Sequence, residues 1–106
     1  MKISVNEALQ ALHTLDQTRF LELFRHGTMS LEIYEPKGID PQQPHQQDEI
    51  YIVIQGQGIF QHGADRYPFG AGDFLFVPAG VEHRFLEFSE DFKTWVIFYG
   101  KMGGEK

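Results

Sequence analysis

Three residues of this chain have the types and spacing to hold a divalent metal: His45, Glu49 and His83. His45 and Glu49 are four apart and lead into the alternating run Glu49-Ile50-Tyr51-Ile52-Val53-Ile54, so they share one face if that strand extends far enough back. His83 follows Pro78-Ala79-Gly80, a turn with proline early and glycine last that opens another strand. Neutral imidazole and ionised carboxylate both bind borderline divalent ions, and two imidazoles with one carboxylate leave coordination positions open for a ligand. Each residue also has a plain reading. Loops carry His and Glu freely as solvated groups, and a single His after a turn serves equally as a surface or hydrogen-bonded core residue. Metal chemistry requires the three to converge.

The elements that must bring them together are mostly strands. Residues 4–14 read as a short helix: Ser4-x-x-Glu7 fits a capping box, and Val5, Ala8, Leu9 and Leu12 form an apolar stripe, with His13 near the favourable C-terminal end. Strands are expected at Phe20–Arg25, Thr28–Tyr34, Glu49–Gln55, Gly58–His62, Asp73–Val77, Glu82–Phe88 and Phe92–Tyr99. Residues 35–47 form a polar connection broken by proline, Gly56-Gln57 suits the centre of a type II′ hairpin, and Pro68–Gly72 reads as a break. This gives three parts: an N-terminal helical segment over 1–19, a β domain over 20–100, and a loose tail over 101–106. About eight short strands with Gly/Pro turns suggest an all-β barrel or sandwich.

Composition narrows the function classes. A chain of 106 residues suits one domain with one core, and ten Phe, four Tyr and one Trp favour β structure. The absence of Cys excludes disulfides, thiolate catalysis and Cys-based metal sites. Nine basic against fifteen acidic residues, without a basic cluster, argue against a nucleic-acid partner. No apolar run is long enough to cross a bilayer, and Met1–Glu7 lacks the apolar core of a signal peptide, so a cytoplasmic location is expected. No Gly-x-Ser-x-Gly elbow or dinucleotide fingerprint is present.

Both faces of the Glu49–Ile54 strand ask for burial. Glu49, Tyr51 and Val53 can line a barrel interior, whereas Ile50, Ile52 and Ile54 need a cover: the N-terminal segment, a second sheet or another subunit. A homodimer is expected on this basis.

These patterns together resemble the cupin superfamily. In its first motif, G-x5-H-x-H-x3-4-E-x6-G, His45, Glu49 and Gly56 match the later part; in its second, G-x5-P-x-G-x2-H-x3-N, Gly72, Pro78, Gly80 and His83 fall in place. The resemblance covers roughly residues 38–99. It implies a jelly-roll β-barrel carrying a short N-terminal helix, with a divalent transition metal (Fe, Mn, Ni or Zn) held by His45, Glu49 and His83. Two positions depart from the family: Gln43 stands where the first motif histidine falls, and Glu87 where the second motif ends in Asn. Gln43 is a candidate oxygen ligand, with water as the alternative. Glu87 either orients His83 or is solvated.

The resemblance implies a small-molecule ligand in the barrel, with Tyr51, Phe60 and Phe85 as candidates to line its pocket or simply to fill the core. Two His and one carboxylate are also the facial triad of many non-haem Fe(II) oxygenases, so a dioxygenase is one expectation and a metal-assisted isomerase or lyase its variant. A non-enzymatic module for a sugar or small acid, and a structural dimer with a vestigial site, are the alternatives. His26 and His62 read as turn residues, Arg66 and Arg84 as surface residues, and Asp48 as pointing away from Glu49.

Overall fold

The capping box forms. In the computed structural model, which describes residues 1–106, the Ser4 hydroxyl accepts from the Glu7 amide at 3.0 Å and the Glu7 carboxylate from the Ser4 amide at 3.1 Å. Helix α1 (Val5–His13) follows. Its stripe buries Ala8 and Leu12 against Ile33, with Leu21, Leu23, Ile54 and Trp95 around them.

Eight strands follow: β1 (Phe20–His26), β2 (Met29–Tyr34), β3 (Asp48–Gln55), β4 (Gln57–His62), β5 (Asp65–Gly70), β6 (Phe74–Val77), β7 (His83–Leu86) and β8 (Lys93–Tyr99). They form a five-stranded sheet, ordered β1-β2-β8-β3-β6, and a three-stranded sheet, ordered β5-β4-β7. All pairings are antiparallel. The inner faces close on one aromatic core holding Tyr34, Tyr51, Phe60, Phe69, Phe85 and Phe92. This is the jelly-roll architecture expected from the sequence.

Two local expectations are corrected. β3 and β4 are not a hairpin: they lie in different sheets, and the chain crosses between them at Gly56. Gly56 has φ of 96°, and a Cβ there would stand 2.6 Å from Phe92 Cα, so close backbone approach requires glycine. Likewise Pro68, read as part of a break, lies inside β5. That strand is an edge, where a missing N–H costs no interior ladder bond.

The alternation of β3 holds. Glu49, Tyr51 and Val53 are buried inward. On the outer face α1 packs against Ile54, but Phe76 and Phe74, opposite Ile50 and Ile52, remain 39% and 60% exposed. The tail, expected to be loose as a terminus, is tied down. Gly103 N donates to Gln46 O at 2.7 Å, Glu105 N donates to Asp48 Oδ2 at 2.8 Å, and Gly104 is buried. Asp48 points away from Glu49 and uses its other oxygen to accept from Ala79 N at 2.9 Å. One buried carboxylate thus fixes both the tail and the turn that precedes His83.

Candidate metal centre

Each sheet contributes to one cluster. β3 carries Glu49 inward near its start, and β7 opens with His83 facing it from the smaller sheet. His45 precedes β3, its backbone held by Gly80 N, which donates to His45 O at 2.8 Å. The turn after β6 therefore places His83 and anchors His45 together. One ligand atom from each of His45, Glu49 and His83 lies within 4.8 Å of the other two. His83 Nε2 is 3.0 Å and His45 Nε2 3.8 Å from Glu49 Oε1.

The electrostatics of this cluster call for a cation. Both carboxylate oxygens of Glu49 are buried, and His83 Nε2, 3.0 Å from Oε1, donates to one of them only when the imidazole carries its second proton. Buried acceptors are nearly always satisfied, and a buried carboxylate without a partner is costly. His83 Nδ1 lies 2.9 Å from Val81 O. In neutral His83 that carbonyl takes the Nδ1 hydrogen, leaving the Nε2 lone pair facing the carboxylate. Burial pulls the His83 pKa down, but Glu49 at one nitrogen and the Val81 carbonyl at the other leave it raised overall. His45, half-buried, is lowered: burial dominates, Glu49 opposes it and His83 adds to it. A metal ion satisfies the same arrangement by binding both lone pairs and the carboxylate.

Gln43 is not brought to these residues. Its side chain is exposed, and its neighbour Gln42 turns inward instead. Gln42 Oε1 accepts from the Tyr51 hydroxyl at 2.7 Å and lies 3.3 Å from His45 Nε2, while its amide donates to Asp40 Oδ2 at 2.8 Å. The Tyr51 hydroxyl is also 3.0 Å from His83 Nε2. Asp40 is 1% exposed and accepts further bonds from the Phe85 amide, at 2.8 Å, and the Tyr34 hydroxyl. Sequence reasoning missed Asp40 and Gln42 because both lie in the proline-broken connection, where no periodicity says which side chains face inward. The one available signal is the pair Gln42-Gln43 beside the motif position.

The expected pocket residues are core. Phe60 and Phe85 are fully buried with ring centroids 4.9 Å apart, and neither lines the cavity at the site. Tyr51 is buried as well, 4.8 Å from the Phe85 ring, and reaches the centre only through its hydroxyl. The cavity itself, about 840 Å³, opens on the β1–β2 side. His45 and Glu49 stand with Glu32, Phe20, Ile39 and Arg19 among its walls.

None of the other polar residues singled out in the sequence joins the three-residue cluster. His26 is exposed, and His62 pairs with His83 across the β4–β7 ladder. His13 Nε2 lies 2.7 Å from the buried Glu35 carboxylate, tying α1 to the barrel. Arg66 is exposed; Arg84 donates weakly to Gln42 O at 3.4 Å. Glu87 is exposed with φ of 49°, a left-handed conformation that suits the Asn of the family motif better than Glu.

Comparison with known proteins places the chain in a family. The cupin domain model fits residues 30–98, from β2 through most of β8. This chain belongs to the cupin family. An uncharacterised protein of Streptomyces coelicolor is 33% identical over 100 residues, spanning 92% of this cupin and 95% of the relative. A cupin-2 domain containing protein from Shewanella frigidimarina superposes with a TM-score of 0.69 at 20% identity, covering 92% of this chain and 94% of that one. An RmlC-like cupin family protein with a double-stranded β-helix fold, from Methanocaldococcus jannaschii, gives 0.66 at 16% identity, covering 78% and 81%. The two structures establish the fold alone. No helix of this cupin is long and apolar enough to cross a membrane.

Proposed function

We propose that this cupin binds one divalent transition metal through His45, Glu49 and His83 and receives a small organic ligand in the adjoining cavity. The buried carboxylate of Glu49 facing two imidazoles, with no hydrogen-bond donor from them while both are neutral, carries this reading. When bound, the metal supplies Lewis acidity toward an oxygen of the ligand and, if it is iron, redox chemistry with O2. The protein's own residues orient and enclose. Val81 O sets the His83 tautomer, Gln42 and the Tyr51 hydroxyl steady the imidazoles from the side, and Phe98 packs edge-on against His45 at 4.8 Å.

Elemental mass spectrometry of protein purified without chelator tests this reading. The wild type should carry close to one metal per chain and His83→Ala almost none. Equal, trace content in both, persisting after incubation with Fe(II), Mn(II), Ni(II) and Zn(II), would instead favour a metal-free binding module. Bound iron would support the dioxygenase form of the reading, to be checked by O2 uptake of iron-loaded, anaerobically purified protein against a substrate panel.

We also propose that the chain works as a homodimer. Phe74 and Phe76 stand exposed beside Ile50 and Ile52 on the outer sheet face. Contiguous apolar surface of this kind is commonly an interface. Sedimentation equilibrium should return twice the chain mass, and Phe74→Glu should shift it toward the monomer. A concentration-independent monomer mass for the wild type would refute the dimer.

A further inference from the structure

Glu32 is an inward-facing carboxyl that the metal reading does not use. β2 pairs Ser30, Glu32 and Tyr34 with Phe98, Val96 and Thr94 of β8, which in turn pair with Glu49, Tyr51 and Val53 of β3. Glu32 therefore shares the inner sheet face with Glu49, two strands across and two residues along, roughly 12 Å at the usual strand spacing and rise. It lines the main cavity with His45 and Glu49, and a second, adjoining cavity of about 230 Å³ again with His45. The gap between the two carboxyls is space a small ligand can fill.

Nothing in the fold explains a carboxyl at this position. Glu32 is half-buried and has neither an ion pair nor a side-chain hydrogen bond. From β1, Glu22 and Arg25 face it, but Arg25 spends Nε and Nη2 on the two oxygens of Glu22, at 3.2 and 2.6 Å. From β8, Val96 and Phe98 offer apolar side chains; from β3 and its approach come Glu49 and His45. Burial first, then the charges of Glu22 and Glu49, raise its pKa to about 7, with Arg25 opposing. A carboxyl that both holds and releases a proton near neutral pH, in the wall of a ligand cavity, has the properties of a general acid and base.

We propose that Glu32 is the proton-transfer residue of this cavity, acting on a small carbonyl compound held at His45, Glu49 and His83. This rests on the metal-and-ligand reading above. In the step, the Glu32 carboxylate removes a proton from the carbon next to the carbonyl. That C–H bond breaks, its electron pair stays on the ligand and delocalises onto the carbonyl oxygen, and an O–H bond forms on Glu32. Transfer of that proton from Glu32 to the carbonyl oxygen breaks the O–H bond on Glu32, forms one on the ligand, and regenerates the carboxylate with the ligand as its enol. The cycle is a proton-transfer isomerisation with no net change in atoms or electrons and no oxidant.

The test follows the glutamate δ-carbons of the full chain by carbon-13 NMR, with and without Zn(II), in wild type and Glu32→Gln. One resonance, missing from Glu32→Gln, should titrate with a midpoint near pH 7 in metal-free protein. Zn(II) should lower that midpoint by about one unit, a tenfold loss of proton affinity, because a cation in the shared space favours the charged carboxylate. Zn(II) affinity of Glu32→Gln should stay within about threefold of the wild type, as expected for a carboxylate that is not a ligand. A Glu32 resonance that titrates like the exposed glutamates, or that ignores bound Zn(II), overturns the proposal while the metal reading stands. A Glu32→Gln variant that loses Zn(II) makes Glu32 a metal ligand and overturns it differently. Failure of the wild type to bind Zn(II) defeats the underlying reading and this proposal with it.

Discussion

Saturating the metal-free protein with its divalent metal is expected to raise the melting temperature by about 15 °C or more. A ligand that binds only the folded state stabilises by about 4 kcal/mol at a thousand times its dissociation constant. In a domain near this size each kcal/mol moves the midpoint by roughly 4–8 °C. Glu49→Gln should show the opposite pattern. Above the raised His83 pKa, where the imidazole is neutral, the carboxamide has nearly the same shape as the carboxylate but no charge, and it can donate to the imidazole lone pair that the carboxylate repels. Removing a buried acceptor that lacks a partner relieves a penalty on the order of 1–3 kcal/mol. At such alkaline pH metal-free Glu49→Gln is therefore expected to melt several degrees above metal-free wild type, and at any pH to gain almost nothing from added metal. Differential scanning fluorimetry on the two proteins, each with and without metal, reads both effects. If metal raises the midpoint of Glu49→Gln as far as that of the wild type, the ion binds elsewhere, and the orphaned carboxylate has another explanation.

The residues that hold this cluster differ sharply in how legible they were. Glu49 was readable because strand alternation fixes its face: moving the register by one residue would expose Tyr51 and Val53, both buried here. His83 was readable from the Pro78-Ala79-Gly80 turn, whose geometry is local. The hairpin at Gly56-Gln57 misled because turn chemistry specifies φ but not the partner strand. The positive φ of Gly56 serves a crossing between sheets, and only the approach of Phe92 reveals it. β5 was hidden by Pro68, which breaks interior strands but is tolerated at an edge, and edges are a property of the sheet rather than of the segment. The tail shows the same limit. Its terminal position reads as freedom, yet Asp48, distant in sequence, anchors it through a backbone amide.

Phe60 and Phe85 illustrate a further ambiguity. Inward aromatic residues serve equally as core or as pocket wall, and which of the two depends on where the barrel is left open. Here the opening lies on the β1–β2 side, so Phe20 meets the cavity while Phe85 packs among Tyr51, Phe60, Phe69 and Phe92. The outward residues Phe74 and Phe76 follow the opposite logic: the sheet has no further layer over them, so they stay exposed in the single chain.

Asp40→Ala is expected to be the most damaging change outside His45, Glu49 and His83, costing about 4 kcal/mol of folding stability and, on the proposed metal reading, roughly tenfold or more in metal affinity. Asp40 is fully buried in an otherwise irregular connection, and its two oxygens accept from the Tyr34 hydroxyl, the Phe85 amide and the Gln42 side chain. Truncation strands the first two donors inside the core, at about 1–3 kcal/mol each, and opens a small cavity. It also frees Gln42, which links Asp40 to the Tyr51 hydroxyl and, through it, to His83. Loss of a residue that orients metal ligands typically weakens affinity ten- to a hundredfold. Asp40→Asn should recover more than half of the stability, since one oxygen still accepts from the Phe85 amide and the Tyr34 hydroxyl can turn to accept from the new amide. Urea denaturation and metal titration of the three proteins separate the effects. If Asp40→Ala unfolds easily yet its folded fraction binds metal with wild-type affinity, the chain from Asp40 through Gln42 supports the barrel but does not position the imidazoles. A parallel loss in both measurements ties the proline-broken connection directly to the geometry of the centre.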